Sequence, residues 1–180
     1  MLEDKLLIFQ LKKGSPHALR RIYEKYAPML LKLAVSLAGD VHTAEDVTQQ
    51  AFVKLVQSRE SLRVTGNLRS LLCTITVNLV RNSQRDQRRR SAVPIDEAVP
   101  SAERTPLGWA MLNDQLARLA EALQELPFEQ REVVVLKLYH QMTFREIAQI
   151  QDVSGNTVQG RYRYGMEKLR SLLDIEEERS

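Results

Sequence analysis

The segment SAVPIDEAVPSAERTP, residues 91–106, constrains this chain more than any other stretch. It places Pro94, Pro100 and Pro106 among small residues and carries no sustained helical repeat. Proline has no N–H for a helical bond and its ring clashes with the preceding turn, so prolines this close together break any helix. On both sides, apolar residues recur at helical spacing. The chain is therefore expected to be all-α: two small helical domains, residues 1–90 and 112–180, joined by a flexible linker over 91–111. Seven glycines and six prolines in 180 residues are too few for a loop-rich all-β alternative.

In the first half, Ser15-Pro16 reads as an N-cap followed by proline at the first helical position, opening a helix that Gly39 ends and that Pro28 should kink or divide. Thr43 to Asp46 resembles a capping box ahead of a helix with Val47, Ala51, Phe52, Leu55 and Val56 inward and Glu45, Asp46, Gln49, Gln50 and Lys54 outward. Asn67 should cap a long helix with Leu68, Leu71, Leu72, Ile75 and Leu79 on one side. That helix runs into RNSQRDQRRR, residues 81–90. The net charge of +3 hides a division: residues 1–90 hold 16 Lys/Arg against 8 Asp/Glu, while 112–180 hold 9 against 12. A second basic group, Arg161, Arg163, Lys168 and Arg170, lies beyond the linker, and two such patches point to two contacts with a polyanion.

In the second half, a helix from Leu112 to Leu126 precedes Pro127, and another from Phe128 to Tyr139 buries Val133, Val134, Leu136 and Leu138. Thr143 and Glu146 then form a capping box for a short helix that turns Ile147, Ala148 and Ile150 inward. The stretch that follows, SGNTVQGRYRYG, has Gly155 and Gly160 at the spacing that opens a phosphate-binding loop. Arg161 and Tyr162 stand where that loop needs Lys and Ser/Thr, and a short helix precedes it where a strand is required, so a nucleotide site is excluded. A short helix, a tight turn eased by Gly155 and a second helix make a helix-turn-helix. Ser154 caps the second helix, and Val158, Tyr162, Gly165, Met166, Leu169 and Leu172 form its inner stripe, with Gly165 permitting close packing. Its opposite face carries Asn156, Gln159, Gly160, Arg163 and Tyr164, flanked by Thr157, Arg161 and Lys168. Gln159 suits adenine and Arg163 guanine in a major groove, whereas Arg161 and Lys168 suit phosphates.

These residues resemble the extracytoplasmic-function (ECF) sigma factors, small two-domain promoter-recognition subunits of bacterial RNA polymerase. AEDVTQQAFVKLVQ (44–57) is similar to the family's polymerase-binding helix, and LRSLLCTITVNLVRNSQRDQRRR (68–90) to the segment that opens and holds the −10 element. The stretch from Ala122 to Leu173, with LP-x-x-QRE, EIA and TV-x-x-R, is similar to the domain that reads the −35 element. Leu71 stands where the family commonly has tryptophan, Gly160 where serine is frequent, and Gln159 where lysine or arginine is frequent. The resemblance implies core polymerase binding through Asp46, Gln49, Gln50 and Lys54. It implies −10 contacts from Ser61, Asn67, Asn78, Arg81, Asn82, Arg85, Arg88 and Arg89, with the loop Ser61 to Asn67 receiving a flipped base. Capturing an unstacked base stabilises melted DNA without any catalytic group. Partners expected are core RNA polymerase, promoter DNA and an anti-sigma factor.

No assembled acid, base and nucleophile set is present, so no enzyme activity and no cofactor are expected. Cys73 lies at helical spacing among apolar residues and reads as core. His17, His42 and His140 lack partners at ligand spacing, so no metal site is expected. No apolar run approaches a membrane span and no cleavable leader is recognisable, which fits a cytoplasmic protein.

Overall fold

The computed structural model describes residues 2–62, 67–91 and 114–177. Across them the chain is helical: α1 (Leu2–Lys12), α2 (Pro16–Ala38), α3 (Val41–Gln57), α4 (Leu68–Ser91), α5 (Asp114–Gln124), α6 (Phe128–Leu138), α7 (Phe144–Gln151) and α8 (Gly155–Glu177). The helices fall into two compact units, α1–α4 forming most of the first and α5–α8 most of the second. Ser91 ends α4, and the rest of the expected linker lies outside the described residues, as do 63–66 of the expected base-receiving loop.

α1 adds an element to those expected. Its Leu7, Ile8 and Leu11 are buried, each contributing about 1.5–3 kcal/mol. Glu3 bonds Arg21 and Lys25, and Asp4 bonds Lys25, each at 2.8 Å. Most of these groups are well exposed, where such pairs are worth at most about 1 kcal/mol, so the apolar contacts dock the helix and the charges orient it. Tyr26 donates to Asp4 at 2.9 Å, and burial together with that bond pushes its hydroxyl up to about 12.

Ser15 accepts from the N–H of Ala18 and Gly39 takes a φ of 75°, so α2 begins and ends as expected. Pro28 does not divide it: α2 runs as one element, with Ile22, Leu30, Leu33 and Leu37 buried on both sides of the proline. One missing N–H is outweighed by that continuous packing. α3 starts at Val41, which puts Thr43 in the first turn rather than ahead of it. Asn67 caps α4 through its side chain, accepting from Arg69 N–H at 3.1 Å. The inner face of α4 is rotated from the expected one: Leu68, Leu72, Cys73, Thr76, Val77, Leu79 and Val80 are buried, whereas Leu71 and Ile75 are only half-buried.

In the second unit α6 packs against α5, α7 and α8. Enclosure on several sides buries Arg131, Glu132, Val133, Val134, Val135 and Leu136 in succession, where the spacing predicts a one-sided stripe. Leu138, expected inside, is 48% exposed because α6 ends there. Arg131 donates to the carbonyls of Gln124 (2.8 Å) and Leu126 (3.2 Å), closing the end of α5, and burial pulls its guanidinium down to about 10.

Candidate nucleic-acid interface

The helix-turn-helix is set by two caps and one glycine. Thr143 accepts from Glu146 N–H while the Glu146 carboxylate accepts from Thr143 N–H, the reciprocal capping box expected for α7. α7 ends at Asp152 with φ 53° and ψ 48°. This corrects the role given to Gly155: aspartate, which tolerates the left-handed region, makes the turn, and Gly155 is the first residue of α8. Ser154 Oγ accepts from Thr157 N–H at 3.1 Å and lies 2.9 Å from the Thr157 hydroxyl, so Thr157 is engaged in the cap. Val158, Gly165 and Leu169 are buried, with Tyr162 and Met166 half-buried. A Cβ at Gly165 would lie 2.9 Å from Val134 Cγ2, so glycine is what lets α8 approach α6. Tyr162 meets the Phe144 ring edge-on at 5.5 Å and joins α8 to α7.

The polar residues of α8 then divide. Asn156, Gln159, Arg163 and Tyr164 are exposed together near the helix start, with Gly160 between them. The Arg163 guanidinium lies 4.9 Å from the centre of the Tyr164 ring and donates to its hydroxyl at 3.2 Å. Arg161 and Lys168, expected at phosphates, have internal partners. Arg161 donates to Gln151 Oε1 at 2.7 Å, Gln151 donates to the carbonyl of Glu129 at 3.0 Å, and Lys168 donates to the carbonyl of Glu125 at 2.7 Å. These bonds fix α8 against α7, α6 and the end of α5.

In the first unit, Asp46, Gln49, Gln50 and Lys54 are exposed along α3. Asp46, Gln50 and Lys54 line one side of a groove of about 340 Å³, and Asn82, Ser83 and Asp86 of α4 line the other. Asn82 therefore shares a surface with the α3 set. Asn78, Arg81, Arg85 and Arg89 form the adjoining stripe of α4: Asn78, Arg85 and Arg89 are exposed, and Arg81 donates to Asn78 Oδ1 at 3.4 Å. The Arg88 side chain lies outside the described residues. Ser61 donates to the carbonyl of Ser58 at 2.8 Å, and Asn67 is committed to capping α4. Three surface residues had no expected role: Ser83 and Asp86 in the groove, and Val53, which is 53% exposed on α3. The spacing 79, 82, 83, 86 is a helical stripe of its own, and was the signal available for the first two.

Residues 22–90 match the family model for sigma-70 region 2, and residues 116–169 match that for sigma-70 region 4. ECF RNA polymerase sigma factor SigL of Mycobacterium tuberculosis is 30% identical over 157 residues, covering 86% of this chain and 88% of its own length. The chain belongs to the ECF sigma factors. SigW of Bacillus subtilis, another member, is 27% identical over 178 residues, covering 92% and 94% of the two chains. Among solved structures, CnrH in complex with the cytosolic domain of CnrY aligns with a TM-score of 0.73 at 25% identity, covering 96% of this chain and 98% of CnrH. RpoE of Bartonella quintana, solved with the anti-sigma factor NepR, aligns at 0.69 and 22% identity over 87% and 96%. As an RNA polymerase sigma factor, the chain binds the polymerase and directs promoter recognition. The region 2 match begins at Ile22, so α1 of this sigma factor precedes it, whereas α3, α4 and the groove between them fall inside. The region 4 match takes in α6, α7 and α8 as far as Leu169, including the exposed Asn156, Gln159 and Arg163.

Proposed function

We propose that residues 1–90 bind core RNA polymerase and open and hold the −10 element, that 91–111 act as the tether, and that 112–180 read the −35 element. The observation that carries the division of labour is the α3–α4 groove. Asp46, Gln50 and Lys54 on one wall and Asn82, Ser83 and Asp86 on the other form one polymerase surface, with Gln49 beside it. Asn82 thereby moves from the DNA set to the polymerase set. Asn78, Arg81, Arg85, Arg88 and Arg89 grip the melted −10 strand, and the Ser61 to Asn67 loop receives its flipped base. On α8, Asn156, Gln159 and Arg163 read base edges, and Tyr164 holds the Arg163 guanidinium. Binding energy alone does this work, with no catalytic step, which suits a protein acting in the cytoplasm. Among the described residues no helix is long and apolar enough to cross a membrane. CnrH, similar over nearly the whole chain, was solved with the cytosolic domain of CnrY, and an anti-sigma factor is the protein partner we expect here.

The test is a set of purified variants assayed for core polymerase binding and for promoter opening. Asp46→Arg and Asn82→Arg should both lose core binding. Arg85→Ala/Arg89→Ala should keep core binding and lose opening. An Asn82→Arg variant that binds core normally but fails to open DNA would return Asn82 to the DNA face and dissolve the proposed surface.

A further inference from the structure

Glycine inside a helix is costly relative to alanine, and three circumstances justify it: a positive φ, a close intramolecular contact, or the close approach of a ligand. Gly160 lies in the second turn of the 23-residue α8, with ordinary helical backbone. A Cβ built on it meets nothing within 4 Å. Gly165, one residue beyond the next turn, is different, since its Cβ would press on Val134. The fold therefore accounts for Gly165 and has no use for Gly160.

The surroundings of Gly160 point outward. Asn156, Arg163 and Tyr164 are its neighbours at i−4, i+3 and i+4, and all three are exposed, with Gln159 beside them. Bare backbone at the centre of such a face is a shallow notch, with the stacked Arg163 guanidinium and Tyr164 ring one turn further along the helix. The floor is an apolar Cα, and the N–H of a residue inside the helix is already committed to the turn before it, so a phosphate would find no donor there. A methyl group needs none, and apolar contact is how a major-groove helix reads the thymine methyl.

We propose that Gly160 is the point where α8 comes closest to promoter DNA and that its notch seats the C5-methyl of one thymine of the −35 element. This rests on the −35 reading of α8. It makes Gly160 a specificity-determining position by the absence of a side chain: any Cβ holds the helix off the groove floor and fills the methyl's place.

The experiment uses holoenzyme with full-length chain and a promoter duplex selected from random DNA by that holoenzyme. Each upstream thymine is replaced in turn by uracil, which removes only the methyl. Wild type should lose about fourfold in affinity at one thymine, the worth of one buried methyl. Gly160→Ala should bind the parent duplex roughly tenfold more weakly, the scale of one mismatched pair, and should lose sensitivity to uracil at that thymine alone. Its melting temperature should equal or exceed that of wild type, which separates the loss from misfolding. Wild-type affinity in Gly160→Ala, unchanged uracil sensitivity in that variant, or no uracil-sensitive thymine in wild type would each overturn the proposal. Failure of the −35 reading looks different: scrambling the upstream element, and Arg163→Ala, would then leave holoenzyme binding unchanged.

Discussion

Replacing Gly165 by alanine tests the packing that holds the recognition helix. The new Cβ would lie 2.9 Å from Val134 Cγ2, with Gln130 Cβ at 3.4 Å and the Gln130 carbonyl oxygen at 3.5 Å. Val134 is 1% exposed, and valine in a helix has one strongly preferred rotamer, so its methyl cannot swing away. Overpacking of this kind costs about 1–3 kcal/mol, while alanine regains about 1 kcal/mol of helix propensity. The net expectation is a loss of about 1 kcal/mol. Gly160→Ala is the internal control: the same change on the same helix, with nothing within 4 Å, should gain about 0.5–1 kcal/mol. The two variants should therefore differ by about 2 kcal/mol, on the order of 10 °C in melting temperature for a unit of this size. Urea and thermal unfolding followed by circular dichroism give both values. A double-mutant cycle with Val134→Ala, which removes the obstructing methyl, should show favourable coupling of about 1 kcal/mol or more. If Gly165→Ala stabilises the protein as much as Gly160→Ala, and the cycle shows no coupling, the close crossing of α8 and α6 is not what Gly165 provides.

Other expectations follow from single contacts. Thr143→Ala and Ser154→Ala should each cost about 1 kcal/mol in urea unfolding, because each removes a cap that satisfies an otherwise unpaired N–H. Arg161→Ala should lower stability and weaken all DNA binding together by loosening the Gln151 link, whereas Arg163→Ala should leave stability unchanged and relax base preference at one position; binding to a panel of single-substitution duplexes distinguishes them. The first unit should lose stability at alkaline pH. An unfolded chain releases the Tyr26 proton near 10 and the folded chain holds it to about 12, so the native state binds more protons in that window. The contribution is fully present below pH 10 and lost as pH rises to about 12. Tyr26→Phe should flatten that part of the pH–stability curve.

Much of this architecture is legible in sequence because local hydrogen-bond chemistry is short-range. Thr143 with Glu146, Ser154 and Asn67 each cap the helix assigned to them, since a side-chain oxygen two or three residues ahead of a free N–H has one natural partner. The misses depend on what surrounds an element. α6 is enclosed on several sides, so periodicity could not reveal that Arg131 and Glu132 are buried or that Leu138 is not. α1 is apolar around much of its surface, with Leu6 and Phe9 exposed opposite Leu7, Ile8 and Leu11, and so lacks the one-sided stripe that marks a helix. Gly155 drew attention to itself in the turn, but Asp152 takes the left-handed position because the turn falls where α7 ends, a boundary that spacing fixes only to within a residue or two. At the candidate sites, residue types were readable and partners were not. Arg161 and Lys168 read as phosphate contacts from their charge and spacing, which give no sign of their bonds to Gln151 and Glu125. From α4 alone Asn82 groups with the arginine stripe, and spacing cannot show that α3 stands beside it.

This chain alone should confer promoter specificity on core polymerase. The direct measurement is transcription with purified core polymerase and the purified chain on fragmented genomic DNA, with every start site mapped. Starts should appear at a discrete set of positions sharing two upstream elements, and Asp46→Arg should abolish them all. Starts that are scattered without shared elements, or that match those of core polymerase alone, would exclude that role.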